Sequence, residues 1–159
     1  QRGLARLNAE REWQKACNAE IFRVAGIYGP RRNAILSLLE GRARIIKRKG
    51  QLSNRIHQED ITNIIIAAIN KPRALRIVNL CDQEPAPQGD VVRYAAKLLG
   101  MPPPEPILFE TADLTPMARS FYTSKRRLKS VIVGPELGVT LKYPNYRVGL
   151  KALIRSEKI

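Results

Sequence analysis

The stretch Ile21-Phe22-Arg23-Val24-Ala25-Gly26-Ile27-Tyr28-Gly29-Pro30 constrains this chain more than any other. Its β-branched, aromatic and apolar residues predict a buried strand over 21–27, and Gly29-Pro30 stops it in a sharp loop. A helical pattern precedes it and another follows, which is the alternation of a parallel α/β sheet. In open sheets of that kind ligands sit beyond the carboxyl ends of the strands. Gly26 to Pro30 lies at that end, so any site is expected there.

The remaining elements are read from local signals. Leu4 to Ala16 reads as a helix with Leu4, Leu7, Trp13 and Ala16 apolar, and Asn18 suits its end. It has no N-cap, so the helix is expected to begin upstream of Gln1. Ala34 to Glu40 is a short helix closed by Gly41. Arg44 to Lys47 and Asn54 to His57 are short strands around an Arg48-Lys49-Gly50 turn. Asp60 is expected to cap a helix whose Ile61, Ile64, Ile65, Ala68 and Ile69 share a face. Ile66 and Ala67 widen that face, which predicts burial on most sides, and Pro72 ends the helix.

Leu75 to Leu80 is a second buried strand, parallel to the first because the connection is long and contains a helix. Asp90 to Leu99 is an amphipathic helix closed by Gly100. Ile107 to Phe109 is an edge strand, and Pro116 opens a short helix. Lys125 to Lys129 reads as extended, and Gly134-Pro135 breaks any long helix over Val131 to Leu137. Asn145 caps a last helix with Tyr146, Leu150, Leu153 and Ile154 inward.

The 159 residues suffice for one domain with a proper core. The longest apolar run, Ile64 to Ile69, is too short to span a bilayer, and no leader pattern is present, so a cytoplasmic protein without membrane contact is expected. Cys17 and Cys81 make no metal-ligand spacing, and one histidine excludes a multi-histidine site, so no metal is expected. The net charge of +14, from 28 Lys+Arg against 14 Asp+Glu, fits nucleic acid, phosphorylated ligands or an acidic partner. Aromatic residues are not interleaved with the basic ones and no nucleic-acid motif is present, so nucleic acid is the lesser reading.

No Gly-x-Gly occurs, hence no dinucleotide fingerprint, and no tyrosine is followed four residues later by lysine. No complete catalytic constellation is visible. His57, beside Glu59 and Asp60, is either a general base or a packed side chain at a strand end. Arg119, beside Phe121 and Tyr122, either grips a phosphate or carboxylate with its fork or lies on the surface. The Lys125-Arg126-Arg127 run reads as a solvated face.

Three segments together resemble a known superfamily. Phe22 to Pro30 resembles the R-x-x-x-x-Y-G-P stretch of extended short-chain dehydrogenases, the nucleotide-sugar epimerases and dehydratases. Arg55 to Ile61 resembles their I-H-V-x-D-I segment, and Leu137-Gly138-Val139 their late L-G-W/V motif. Pro87-Gln88, Pro116 to Tyr122 and Tyr143 to Arg147 are similar to an atypical YeeZ-like group. The resemblance covers nearly the whole chain but only the carboxyl half of such an enzyme.

It implies an α/β fold: the C-terminal part of a Rossmann-like parallel sheet, with strands near 21–27 and 75–80, plus a small α+β substrate lid. Residues 1–159 would then form one portion of an NAD(P)-binding domain whose Gly-rich N-terminal half is not in this sequence. It further implies NAD or NADP bound mainly by that half, and an oxidoreductase or epimerase acting on a small metabolite or a nucleotide-sugar-like substrate. Val24, Gly26 and Ile27 would touch the nicotinamide end. Arg55, His57, Arg119 and Tyr122 would face the substrate. A homodimer, or pairing with the N-terminal half, would cover the free edge of the strand at Ile21.

The chain departs from the family at two places. The catalytic Tyr-x-x-x-Lys matches Arg2 and Arg6, so no catalytic pair is expected within this chain; guanidinium stays protonated and offers no phenolic oxygen. Ser53 stands where the family often has a diphosphate-binding arginine. Two alternatives follow: a non-catalytic NAD(P)-binding sensor of the same fold, and a basic nucleic-acid-binding module.

Overall fold

A computed structural model describes residues 2–122 and 127–157 of the chain. The elements run α1 (Arg2–Cys17), β1 (Ile21–Val24), β2 (Gly26–Tyr28), α2 (Ala34–Leu39), β3 (Ile45–Lys47), β4 (Arg55–His57), α3 (Gln58–Asn70), β5 (Ile77–Leu80), α4 (Gln88–Leu99), β6 (Pro106–Leu108), α5 (Pro116–Tyr122) and α6 (Tyr146–Glu157). All three strand pairs among the described residues are parallel: β1 with β5, β2 with β4, and β3 with β6. The expected parallel neighbours near 21–27 and 75–80 are therefore present, in the register Ile21↔Ile77 to Val24↔Leu80.

The expected single strand over 21–27 is instead two strands with different partners. Ala25 still donates its N–H to the carbonyl of Leu80 (3.0 Å), whereas Gly26 donates to that of Asn54 (3.1 Å). At this one peptide the chain leaves β5 and takes up β4. The other edge of β4 is used as well, because the carbonyl of Arg55 accepts the N–H of Asp82 (2.7 Å). Partner exchange at the carboxyl end of β1 opens the sheet there, the position where α/β folds place ligands.

Two hydrophobic clusters hold the layers. Tyr28, Ile35, Ile45, Val92, Tyr146 and Leu150 pack α2, α4 and α6 together on one side. Ile56, Ile64, Val78, Leu80, Val133 and Leu137 seat α3 and the 132–141 segment against the β1–β5 pair. Arg76, at the foot of β5, ties the layers electrostatically. Its Nη2 reaches Glu20 Oε2 (2.7 Å), just before β1, and the carbonyl of Lys71 (2.9 Å), just after α3. A buried guanidinium needs such saturation, since an unpaired one is costly.

Local punctuation falls as expected. Asn145 caps α6 through the N–H groups of Arg147 and Val148, and Asn33, not singled out from the sequence, caps α2 by accepting the N–H of Leu36 on Oδ1 (2.9 Å). Gly100 closes α4 at φ +66°, and Asn18 follows α1 at φ +52°. Residues 131–138 form turns rather than a helix, with Val133 and Leu137 buried. Lys125 and Arg126 lie outside the described residues.

Three expectations are corrected. His57, not Asp60, caps α3: its Nδ1 accepts the N–H of Glu59 (3.2 Å). Asp60 lies within the first turn, fully buried, with its carboxylate used elsewhere in the fold. The apolar face of α3 is buried at Ile64 and Ala68 and half-covered at Ile61 and Ala67, while Ile66 and Ile69 are 52% and 70% exposed. Leu75 precedes its strand at φ +61° and is exposed, so β5 begins at Ile77. The apolar residues of α1 are likewise open: Leu4 is 66% and Trp13 62% exposed.

Candidate functional site

A cleft of about 1280 Å³ opens at the carboxyl ends of β1 and β2, where the strand changes partner. Val24, Gly26 and Ile27 line it, with Val24 and Ile27 exposed at 42% and 44%. The three nicotinamide-side residues expected from sequence thus all line this cleft. Gly26 suits a tight wall, because a Cβ there would stand 3.2 Å from the carbonyl oxygen of Asn54. Arg6 on α1 lines the cleft as well; the side chain of Arg2 lies outside the described residues.

The loop after β2 is rigid for a local reason. Gly29 and Arg32 exchange both backbone hydrogen bonds (3.0 and 3.1 Å), and Asn33 Nδ2 donates to the carbonyl of Gly29 (2.9 Å). This brings Arg32 to the cleft wall. From the following segment come Arg42, Arg44 and Gln51, and from α5 Phe121. The sequence reading missed Arg32, Arg44, Gln51 and Phe121. Arg31-Arg32 directly after Gly29-Pro30 was the available signal for the first; nothing local marks Gln51.

The four expected substrate-side residues part company. Arg55 lines the cleft, 6% exposed. Its Nη2 donates to the carbonyl of Ala86 (3.2 Å), its guanidinium carbon lies 5.5 Å from the centroid of Tyr146, and its Nη1 is buried without a partner. Burial lowers its pKa, opposed by the charge of Asp82. Asp82, also buried, leaves Oδ2 unpartnered, and desolvation pushes its carboxyl up to about 7.

His57 points into the core, with its ring edge-on to Tyr28 at 5.1 Å and tilted on Tyr143 at 3.9 Å. Desolvation lowers its pKa, and its Nε2 is buried without a partner. It is not among the residues lining the cleft.

Arg119 and Tyr122 are not cleft-lining either. Arg119 donates to the carbonyls of Phe109 (3.4 Å) and Ala112 (3.0 Å) and covers the Phe109 ring at 4.8 Å, so its fork is spent on the 109–112 segment. The Tyr122 ring packs 5.5 Å from that of Phe109, and burial raises its phenol pKa. The carboxyl end of α5 is held by Arg48 on the Tyr122 carbonyl and by Gln51 Nε2 on that of Phe121 (3.2 Å). Terminal carbonyls of a helix need such donors.

Among the described residues, no group of three or more His, Cys, Asp or Glu is placed to hold a metal, and no helix is long and apolar enough to cross a membrane.

No family model matches the chain. No curated protein matches it either. Among solved structures, a conserved protein of unknown function from Silicibacter pomeroyi is 47% identical over 98% of this chain and 56% of its own, with a TM-score of 0.94. The dTDP-glucose 4,6-dehydratase of Bacillus anthracis, in complex with NAD, is 17% identical over 87% of this chain and 44% of its own, with a TM-score of 0.66. A human epimerase family protein with NADPH is 16% identical over 86% and 48%, with a TM-score of 0.68. The chain spans about half the length of the structures it matches. Its fold is that of the C-terminal part of a Rossmann-like epimerase and short-chain dehydrogenase fold.

Proposed function

We propose that the chain is the substrate-side part of an NAD(P)-dependent oxidoreductase- or epimerase-like protein of the atypical YeeZ-like group, acting on a small metabolite in the cytoplasm. One observation carries this reading: Val24, Gly26 and Ile27 line the cleft together at the point where the strand exchanges β5 for β4. This lining fits the nicotinamide end of a dinucleotide, since two exposed apolar side chains flank a residue with none. NAD(P) would supply hydride transfer there, with most of the cofactor held by an N-terminal half. Val24 and Ile27 would exclude water from one face of the ring, and Gly26 would let the ring approach the backbone. The exposed side of α1, with Leu4 and Trp13, would be covered by that half or by a second copy of the protein.

A second reading is a sensor that binds the cofactor without turnover. Arg6, lining the cleft, favours it. The resemblance puts a lysine there and a tyrosine at Arg2, and a guanidinium is too weak an acid to give a proton at neutral pH. The test is calorimetry of NAD and NADP binding to the full-length protein, with turnover followed by nicotinamide absorbance over a substrate panel. Binding is expected, and Ile27→Asp should weaken it by roughly tenfold or more, which corresponds to ~1.4 kcal/mol. Absence of binding to either dinucleotide would overturn both readings and return weight to a basic nucleic-acid module. Binding with turnover favours the enzyme, and binding without it the sensor.

A further inference from the structure

We infer that the ligand on the substrate side of this cleft is a compact organic acid, bearing a carboxylate or phosphoryl group that the cleft's arginines receive. The inference rests on the reading above for the place of the site and goes beyond it in naming the chemistry. Five arginines line the cleft, Arg6, Arg32, Arg42, Arg44 and Arg55, and no aspartate or glutamate is among the described lining residues. They come from four places in the chain, on α1, after β2, before β3 and on β4. A cluster drawn from separate segments is not the solvated face of one helix. Like charges gathered around a low-dielectric hollow repel one another and focus a positive potential into it.

The structure neutralises these charges unevenly. Arg42 pairs with Glu40, and Arg44 donates to the carbonyl of Asp113 (3.1 Å). Arg6 and Arg32 have no ion pair among the described residues. Arg55 is the innermost. Its only hydrogen-bond acceptor among the described residues is a carbonyl, and its Nη1 is buried without one. Its neighbour Asp82 supports the charge from a distance but makes no hydrogen bond or close ion pair with it. A buried cation left in that state is unfavourable, and an anion arriving from the cleft offsets the cost. Gln51, also lining the cleft and 8% exposed, leaves Oε1 buried without a donor. A hydroxyl on the incoming acid would supply that donor.

The aromatic surface decides for a compact acid over a base-bearing one. Of the three aromatic residues lining the cleft, Tyr146 is buried, with Arg55 and Arg147 on its ring, and Tyr28 is buried against His57. The third, Phe121, is 62% exposed. Charge is plentiful and stacking surface is not.

The experiment is calorimetry on the full-length protein with matched probes: gluconate against glucose, glycerol 3-phosphate against glycerol, and UDP-glucose as the base-bearing arm. At least one acid is expected to bind roughly tenfold or more tighter than its neutral partner, with affinity falling as salt is raised. The double variant Arg6→Gln/Arg32→Gln, both exposed positions, should abolish that preference; Arg55→Lys, which keeps the charge but loses the planar fork, should weaken it without unfolding the chain. Equal binding of acids and neutral partners, no binding of any probe, or a preference that survives the double variant would overturn the inference. So would UDP-glucose binding more tightly than both acids. NAD and NADP titrations run in parallel separate the two proposals: an acid preference without dinucleotide binding leaves this inference standing and removes the cofactor reading, and the reverse result removes only this one.

Discussion

Asp60 Oδ2 accepts the backbone N–H of Tyr143 at 3.0 Å, across a gap of 83 residues. The other carboxylate oxygen takes the N–H of Lys142 (2.8 Å). Glu59, next door, adds Lys142 Nζ (2.5 Å) and the Tyr143 hydroxyl (2.8 Å). The first turn of α3 thereby holds the segment that leads into α6, and α6 carries Tyr146, which forms part of the cleft wall.

Removing that carboxylate leaves two backbone donors to be satisfied by other means. Asp60→Ala is expected to destabilise the folded protein by about 3 kcal/mol, because hydrogen bonds to a buried charged acceptor are worth more than neutral ones. Asp60→Asn keeps one acceptor and should lose about half of that. Chemical denaturation of the two variants measures both, and an unchanged midpoint for Asp60→Ala would refute the tethering role.

His57 and Asp82 should give stability opposite dependences on pH. Burial lowers the His57 pKa from 6.5, so the unfolded chain binds the extra proton first. Its contribution is full above pH 6.5 and is lost as pH falls through 6.5 towards the lowered value. Asp82 is raised from 3.8 to about 7, so the folded chain holds the extra proton. Its contribution is full below pH 3.8 and is lost as pH rises from there to about 7. Thermal melts from pH 4 to 8 should therefore show a weaker acid loss in His57→Asn, which can still cap α3. Asp82→Asn should be more stable than the parent at pH 8, with the difference shrinking in acid. Parallel pH curves for parent and variants would rule out this assignment.

Gly149, inside α6, and Gly29, in the loop after β2, should respond differently to alanine. A Cβ at Gly149 would stand 2.2 Å from the Tyr28 hydroxyl and 2.7 Å from Cε2 of that ring, which is buried and cannot move aside. Gly149→Ala is expected to cost about 1–3 kcal/mol by overpacking. At Gly29 the obstruction is the side chain of Gln58, which can swing away. Gly29→Ala should cost under about 1 kcal/mol. Denaturant midpoints compare the two directly, and equal losses would contradict the packing argument.

Arg119 should behave as a framework residue that ties α5 to the 109–112 segment. Arg119→Ala removes two carbonyl contacts and the cover over Phe109, at an expected cost of about 1–2 kcal/mol. Its effect on ligand affinity should follow loosening of α5, so adding Arg48→Ala should bring little further change in affinity. A large affinity loss in Arg119→Ala with unchanged stability would instead place its guanidinium on the ligand.

The local grammar of this chain is written in neighbouring residues. A β-branched run ended by Gly29-Pro30, asparagines at positions 33 and 145, and glycines at positions 41 and 100 mark element type and ends, because caps and turns are settled within four residues. Long-range partners are a different matter. Nothing around Ala25 announces that β5 gives way to β4, since that depends on strands 30 and 55 residues further on. Asp60 has the chemistry of a cap and is used instead by backbone groups at 142 and 143, leaving His57 to cap α3. Arg55 and Arg119 are both arginines near motif residues, yet one lines the cleft with a nitrogen unpartnered and the other spends its fork on two carbonyls. Local periodicity records which residues are apolar or charged; packing alone decides which carbonyl, carboxylate or open space each charged group meets.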